Sequence, residues 1–185
     1  MADGNTDKIR ALHEQITALK SELTDLLKVH SPVHDYTFDS ADGPRTLSSL
    51  FGRHEDLFVI HNMGKSCPYC MLWADGFNGV AGHLQNRAAV AITSPDSVTE
   101  QQNLSTSRHW TLPMYSLGDS SFAKDMGYQN EQGYHPGVSV FQRSGDTITR
   151  VATSPFGPGD DYCAIWHLLN LLPDGANGWQ PKFSY

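Results

Sequence analysis

The stretch from Leu57 to Cys70 is LFVIHNMGKSCPYC, an apolar run followed by a short polar turn and two cysteines. The apolar run is typical of a buried β-strand, and the proline after the first cysteine suits the first position of a helix. Cysteines three positions apart at a helix start lie one turn from each other and can close a small disulfide ring. The first thiol would occupy the N-cap, where free backbone N–H groups and the helix dipole favour a thiolate. The stretch therefore predicts a strand–helix unit with redox chemistry at its turn.

Composition places the chain among single-domain globular proteins. It has 185 residues, 39% of them hydrophobic and 18% charged, with a formal net charge of −7. This length suffices for a substantial core without disulfide staples, and the negative charge argues against nucleic acid or an anionic membrane as a partner. The N-terminal sequence lacks the pattern of a secretory signal, and no apolar run approaches the roughly 18 residues of a membrane span. We expect a cytoplasmic protein.

Hydrophobic spacing divides the chain into three segments, which are residues 1–32, 33–172 and 173–185. The first holds a helix predicted over 6–30 and ended by Pro32, with apolar residues spaced 3, 4, 3, 4, 3: Ile9, Leu12, Ile16, Leu19, Leu23 and Leu26. Isoleucine alternating with leucine suits a two-stranded coiled coil, although the run covers under three heptads. Packing on its own domain and homodimerisation through this helix both stay open. The last segment is a tail that drapes over the body or frays.

Residues 33–172 alternate predicted strands and helices. Strands are expected at 33–38, 57–63, 88–93, 110–116, 138–141 and 147–151, and helices at 46–51, from 68, from 94–96 to 108, at 120–127 and from 160 or 161 to 172. Gly76, Gly79 and Gly82 are expected to bend or break the helix after Cys67, and Pro113 indicates an edge strand. This order predicts an α/β fold with a mixed central sheet and helices on both faces.

The order of these motifs resembles the thioredoxin-like superfamily. Cys67-Pro-Tyr-Cys70 is the tetrapeptide typical of dithiol glutaredoxins, whereas the segments 36–43 and 47–52 look like the peroxiredoxin branch of the alkyl hydroperoxide reductase type. More specifically, the chain resembles an uncharacterised bacterial family, domain-of-unknown-function family 899. The similar motifs are LFGR at 50–53, CxxC followed by WAD at 73–75, WxxPxYS at 110–116 and GVSVF at 137–141. The resemblance covers residues 34–172 and implies a thioredoxin-like three-layer α/β/α fold preceded by the N-terminal helix.

Cys67 is the candidate nucleophile and Cys70 the candidate resolving thiol. The N-cap position and Lys65 two residues upstream are expected to lower the pKa of Cys67 below the free value of ~8.5, while Pro68 stiffens the turn. Attack on a substrate disulfide would give a mixed disulfide that Cys70 resolves. The expected partners are thiols and disulfides of proteins or small molecules, with no cofactor. An inert pair is the alternative, and a zinc site would need a second Cys/His pair that the spacing does not provide.

Pro136 matches the position of the proline that faces the dithiol in thioredoxin-like proteins, where its peptide bond is cis. On this resemblance, His135 would present its backbone to an incoming substrate and its ring would lie near Cys67. Only about 5–6% of X–Pro bonds are cis, so this expectation rests on the resemblance alone.

Four other residues have roles that the sequence suggests. His61 stands six residues before Cys67, where thioredoxins carry a buried acid, and it is either a proton acceptor for the resolving thiol or a core histidine. Tyr69 and Trp73 are expected at the rim of the site and in the core. Cys163 is expected to be a small buried hydrophobe, although a third redox thiol stays open.

These features favour a thiol–disulfide oxidoreductase. The alternatives are a thiol peroxidase acting through Cys67 and a non-enzymatic redox-sensing or binding protein. A peroxidatic cysteine is expected to have a hydroxyl residue three positions before it and a proline seven before it. Those positions hold Gly64 and Ile60 here, so the peroxidase signature is absent.

Overall fold

The computed structural model describes residues 2–185, with side chains described from residue 4 onward. The strands are β1 Lys28–Val33, β2 Thr37–Phe38, β3 Arg45–Thr46, β4 Asp56–His61, β5 Ala89–Ser94, β6 Met114–Ser116, β7 Gln129–Asn130, β8 Gly133–Tyr134, β9 Gly137–Ser144 and β10 Thr147–Pro155. The helices are α1 Ala2–Leu26, α2 Leu47–Leu50, α3 Pro68–Gly79, α4 Ala81–Arg87, α5 Val98–Arg108, α6 Phe122–Asp125 and α7 Ala164–Leu169.

A six-stranded sheet with the order β1-β10-β9-β4-β5-β6 forms the centre of the fold. The strands β4, β5 and β6 pair in parallel, and β4, β9, β10 and β1 pair antiparallel. The pairs β2–β3 and β7–β8 form two small separate ribbons. The predicted mixed sheet is confirmed, with β4 at its centre and β6, the strand after Pro113, at its edge.

Alternate side chains of β4 enter two cores on opposite faces of the sheet. Leu57 and Val59 belong to one core, which is rich in phenylalanine and includes α2 and α6 residues. Ile60 packs in the other core, with α3, α4 and α7 residues. Both faces of β4 are therefore covered, which explains why its sequence is nearly continuously apolar. This arrangement confirms the three-layer α/β/α architecture.

The N-terminal helix ends earlier than its sequence predicts. It stops at Leu26, and the following segment is the edge strand β1, in which Pro32 pairs with Thr149 of β10. The expectation that Pro32 ends the helix is wrong because an edge strand tolerates a residue that cannot donate to the ladder. The strand predicted at 33–38 is likewise interrupted at 34–36, between β1 and β2.

Other element boundaries differ in detail. The predicted break within the helix that follows Cys67 is confirmed, since α3 ends at Gly79 and α4 begins at Ala81. Ser97 caps α5 through a capping box, in place of the predicted cap at 94–96. The last helix begins at Ala164 and ends at Leu169, so it is shorter than predicted. No helix among residues 2–185 is long and apolar enough to cross a membrane.

Candidate dithiol site

A tight turn after β4 places Cys67 at the start of α3. The Asn62 Oδ1 atom accepts from the Gly64 N–H at 2.8 Å, and the Cys67 N–H donates to the Gly64 carbonyl at 3.1 Å. Gly64 has a φ of +99°, and a Cβ built on it would lie 2.9 Å from Asp96 Oδ1. Asp96 also accepts from the Lys65 N–H at 2.9 Å. The turn therefore needs glycine at position 64, and the loop after β5 holds it in place.

The two thiols occupy the first turn of α3. Cys67 is the N-cap, its Sγ accepts from the Cys70 N–H at 3.0 Å, and Pro68 follows it in the first turn. Cys70 Sγ accepts from the Met63 N–H at 3.5 Å. Both cysteines are free, and their exposed fractions are 7% for Cys67 and 2% for Cys70. The turn thus holds a buried dithiol whose two sulfurs each accept a backbone hydrogen bond.

The environment shifts the pKa values of the two thiols in opposite directions. The hydrogen bond from the Cys70 thiol lowers the pKa of Cys67, backbone N–H groups of Cys70 and Tyr69 add to this effect, and burial opposes it. The same thiol–thiol bond raises the pKa of Cys70, and burial raises it further. Cys67 is therefore the thiol that ionises first, and Cys70 holds its proton.

Lys65 does not have the role that its sequence position suggests. Its Nζ pairs with Glu100 Oε1 at 2.6 Å, which raises the pKa of Lys65 and lowers that of Glu100 to about 2. The lowered pKa of Cys67 comes from hydrogen bonds of Cys70 and the helix backbone. The expectation that Lys65 activates Cys67 is corrected, because a carboxylate 35 residues away in the chain holds its ammonium.

Cys70→Ala tests this origin of the shift. The substitution removes the thiol that donates to Cys67 and keeps the backbone donors, so we expect the pKa of Cys67 to rise toward ~8.5 and its alkylation near neutral pH to slow several-fold. Ultraviolet thiolate titration and iodoacetamide rates across the pH range measure the change. Cys163→Ala is the control and should leave the Cys67 curve unchanged. An unaltered Cys67 pKa in Cys70→Ala would show that the helix N-terminus alone accounts for the shift.

His61 lies in the core on the sheet face opposite to Ile60 and the dithiol. Its ring is 3% exposed and stacks on Tyr128 at 3.9 Å and on Phe122 at 5.3 Å, while Nε2 lies 2.9 Å from Ser139 Oγ. Burial, and secondarily Arg150, lowers the pKa of His61 well below its ordinary value. These contacts are those of a neutral core histidine, the second of the two roles that the sequence suggests.

Pro136 directly precedes β9, as expected, but its peptide bond is trans, since no cis peptide bond occurs within residues 2–185. The expectation of a cis bond is wrong, and trans is the form that X–Pro bonds intrinsically favour. The Pro136 carbonyl accepts from the Phe156 N–H at 3.0 Å, and the His135 N–H donates to the Tyr128 carbonyl at 2.8 Å. Pairing within the fold thus engages the backbone that was expected to face a substrate.

An aromatic cluster packs against the dithiol helix, and the sequence did not predict it. The Tyr69 ring stacks on Trp166 of α7 at 6.1 Å and lies 6.2 Å from Trp73. Trp179 of the tail contacts Trp166 at 6.1 Å. Trp73 is buried and Tyr69 half-buried, which fits their expected places in the core and at the rim. The aromatic residues of the tail were the available sequence signal for this cluster. A contact such as that of Tyr69 with Trp166, about 100 residues apart in sequence, leaves no local pattern that could predict it.

Cys163 lies in the same apolar cluster as both dithiol cysteines and occupies the N-cap position of α7, without a capping hydrogen bond from its side chain. Its exposed fraction is 6%, and burial raises the pKa of its thiol. These properties are those of the expected small buried hydrophobe. Among the residues with described side chains, no group of three or more His, Cys, Asp or Glu is arranged to hold a metal ion.

The mixed sheet and a CxxC turn at the start of a helix define a thioredoxin-like protein with a peroxiredoxin-like arrangement. The chain belongs to the family described as bacterial protein of unknown function (DUF899), whose profile matches residues 8–183. The match includes most of the N-terminal helix and most of the tail, beyond the range 34–172 that the resemblance of the sequence motifs covers. No curated protein matches the chain.

Several solved structures that share this fold are peroxiredoxins. The bacterioferritin comigratory protein of Xanthomonas campestris is 18% identical, with a TM-score of 0.55 over 64% of this chain and 79% of that one. Peroxidoxin BcpB from Mycobacterium tuberculosis is 20% identical, with a TM-score of 0.60 over 70% and 86%. A hypothetical protein, SMc02350 from Sinorhizobium meliloti 1021, is 14% identical, with a TM-score of 0.51 over 84% and 88%. At identities this low, the TM-scores show a shared fold and no more.

Proposed function

We propose that the protein is a thiol–disulfide oxidoreductase, with Cys67 as nucleophile and Cys70 as resolving thiol. The observation that carries the proposal is the N-cap position of Cys67, whose Sγ accepts the Cys70 N–H at 3.0 Å. The opposite pKa shifts of the two thiols support the same assignment. A thiolate at the helix start and a protonated thiol one turn later are the starting state that the two-step reaction requires.

The reaction transfers two electrons from the dithiol to a substrate disulfide. The Cys67 thiolate attacks one sulfur of R–S–S–R′, the S–S bond breaks, and R′–S⁻ leaves and takes a proton from solvent. Cys70 then loses its proton and attacks Cys67 Sγ in the mixed disulfide, which releases R–S⁻ and closes the Cys67–Cys70 bond. The protein is oxidised and the substrate is reduced to two thiols. A low-molecular-weight thiol or a dithiol protein would reduce the enzyme again, as the cytoplasm allows.

Burial of the nucleophile favours small disulfides as substrates. Cys67 is only 7% exposed, and the adjacent Tyr69 ring is stacked on Trp166. A disulfide fixed in a folded protein has less freedom than a small molecule to bring its sulfur to a nucleophile this little exposed. A small disulfide, such as oxidised glutathione or hydroxyethyl disulfide, needs less space to reach the Cys67 sulfur. Protein substrates are therefore the second choice within this proposal.

Incubation of the reduced protein with oxidised glutathione tests the proposal. We expect the Cys67–Cys70 disulfide to form and two equivalents of reduced glutathione to appear, faster than with free dithiothreitol at the same thiol concentration. Mass spectrometry of the Cys67 peptide and a glutathione assay provide the measurements. A rate no greater than that of dithiothreitol would reject the oxidoreductase proposal and leave the sensing or binding alternative.

Peroxide reduction is the second candidate. The Xanthomonas neighbour is a protein whose alkyl peroxide reduction activity is described, and several other neighbours are peroxiredoxins. In this reaction the Cys67 thiolate would attack the peroxide oxygen and form a sulfenic acid and an alcohol, and Cys70 would then displace water and close the disulfide. Gly64 and Ile60 stand where the peroxidase hydroxyl and proline are expected. Consumption of cumene hydroperoxide that outpaces disulfide reduction would favour this candidate.

A further inference from the structure

Within residues 4–185, most of the N-terminal helix α1 has no cover from its own chain, and only its last turns line a cleft against the body, through Lys20, Leu23 and Thr24. It is 25 residues long, and the side chains from Gly4 to Leu26 are exposed all around it. The exposed fractions along its apolar stripe run from 46% to 76%: Ile9, Leu12, Ile16, Leu19, Leu23 and Leu26. The pair of Lys20 Nζ with Asp161 Oδ1, at 2.8 Å, ties the helix to the body. Most helix stability in proteins comes from packing of an apolar face, and the exposed stripe of α1 lacks that packing within residues 4–185.

The chemistry of α1 selects a second helix over a membrane surface. Helices that lie on anionic membranes are rich in lysine and arginine on their polar face. From residue 2 to residue 26, α1 has three basic and five acidic residues. The 3, 4 spacing of its stripe is that of a coiled-coil seam, in which each apolar side chain packs between those of a matching helix. The same stripe on a second copy of this chain provides that match.

We propose that α1 pairs antiparallel with α1 of a second copy, so that residue 2 of one lies opposite residue 26 of the other. This register makes the two helices overlap over their whole length. It places Ile9 opposite Leu19 and Leu12 opposite Ile16 of the second copy, so four of the six stripe residues pair, while Leu23 lies opposite Asn5. Sliding the helices by one heptad toward fuller stripe overlap would place residues 2–7 opposite residues 28–33, which are β1 of the central sheet in the other copy. The helix length therefore favours this register.

Charges beside the stripe are complementary in the same register. Lys8 and Glu22 occupy equivalent flanking positions, and in the antiparallel pair Lys8 of each copy faces Glu22 of the other. Within residues 4–185, neither side chain has an ion-pair partner in its own chain. A parallel pair would bring Lys8 near His13 of the second copy and would leave Glu22 beside Leu27. The antiparallel pair alone forms two symmetric ion pairs, as expected of an isologous dimer.

Sedimentation of the full chain with matched substitutions tests the interface. We expect wild type to sediment as twice the 20.5 kDa chain at micromolar concentration. Leu12→Glu with Leu19→Glu should give a monomer, whereas Ala11→Glu with Ala18→Glu adds the same charges at the same spacing beside the seam and should stay dimeric. Helix content by circular dichroism should fall only in the first variant. A monomeric wild type, or a dimer that survives the leucine substitutions, would overturn the proposal.

Charge exchange tests the antiparallel register. Lys8→Glu and Glu22→Lys should each weaken the dimer by roughly three- to tenfold, because each replaces two attractive contacts with two repulsive ones. The double variant restores both pairs and should return to within about twofold of wild type. Equal weakening in the double variant and the single variants would overturn the antiparallel arrangement, since the two residues never meet in a parallel dimer. The rate at which the dithiol reduces oxidised glutathione is measured separately and is not part of this test.

Discussion

Cys67→Ser is expected to reduce the disulfide-reducing activity to the uncatalysed rate, a loss of at least about a hundredfold. The hydroxyl does not ionise near neutral pH, so the helix start no longer supplies a thiolate. Cys70→Ser should behave differently, because Cys67 can still attack but the mixed disulfide has no resolving thiol. We expect it to accumulate a glutathione adduct on Cys67, and mass spectrometry of the trapped protein measures that adduct.

Cys163→Ser provides the matched control for both variants. The substitution removes the third thiol of the chain, which is buried in the same apolar cluster as Cys67 and Cys70. The variant should retain the wild-type rate of disulfide reduction. If activity is lost with Cys163→Ser while the protein stays folded, the third cysteine takes part in the reaction. If Cys70→Ser turns over at the wild-type rate, Cys70 is not the resolving thiol and the two-cysteine mechanism is wrong.

Local signals in the sequence predicted the elements that hold the dithiol. The apolar run before the turn predicted a central strand, and β4 is that strand. Pro68 after Cys67 predicted a helix start, and Cys67 is the N-cap of α3. Gly76, Gly79 and Gly82 predicted a bend or break in this helix, and the interruption between α3 and α4 falls directly after Gly79. In each case the contacts that determine the element lie within a few residues of the sequence feature that predicted it. Local sequence alone is therefore enough to predict these elements.

Features that depend on contacts distant in sequence were not predictable in this way. Leu57, Val59 and His61 alternate with Phe58 and Ile60, and both sets are apolar enough for a core. Sequence alternation alone therefore cannot tell which face of β4 carries the thiols. The partner of Lys65, which is Glu100 on α5, and the contact of Trp166 with Tyr69 follow only from the packed structure. The cis expectation for Pro136 came from resemblance and had no local physical signal behind it.

Gly137→Ala is expected to destabilise the protein by about 3 kcal/mol, the upper end of the range for overpacked cores. Gly137 begins β9 and pairs with His61 of β4. A Cβ at this position would lie 2.2 Å from Tyr128 Cε1 and 2.6 Å from the Ser154 carbonyl oxygen. The carbonyl is part of β10 and cannot move without breaking the ladder between β9 and β10. Urea unfolding measures the free energy, with the slope checked against wild type.

The Tyr128 ring is equally unable to yield to the added methyl group. Its hydroxyl lies 2.9 Å from the Val138 carbonyl, 2.7 Å from Thr153 Oγ1 and 3.0 Å from the Ser154 carbonyl, and its ring stacks on His61. Movement of the ring would break these hydrogen bonds and leave the buried Tyr128 hydroxyl unpaired, which itself carries a penalty of about 1–3 kcal/mol.

Gly76→Ala is the matched control, because it adds the same methyl group in the interior of α3, where nothing lies within 4 Å. We expect it to stabilise the protein by about 0.5–1 kcal/mol, since alanine favours the helix. The two variants should therefore differ by about 4 kcal/mol for one chemical change. A loss below about 1 kcal/mol for Gly137→Ala would mean that Tyr128 leaves its place at little cost. The hydrogen bonds of Tyr128 would then not hold β9 and β10 behind the dithiol strand.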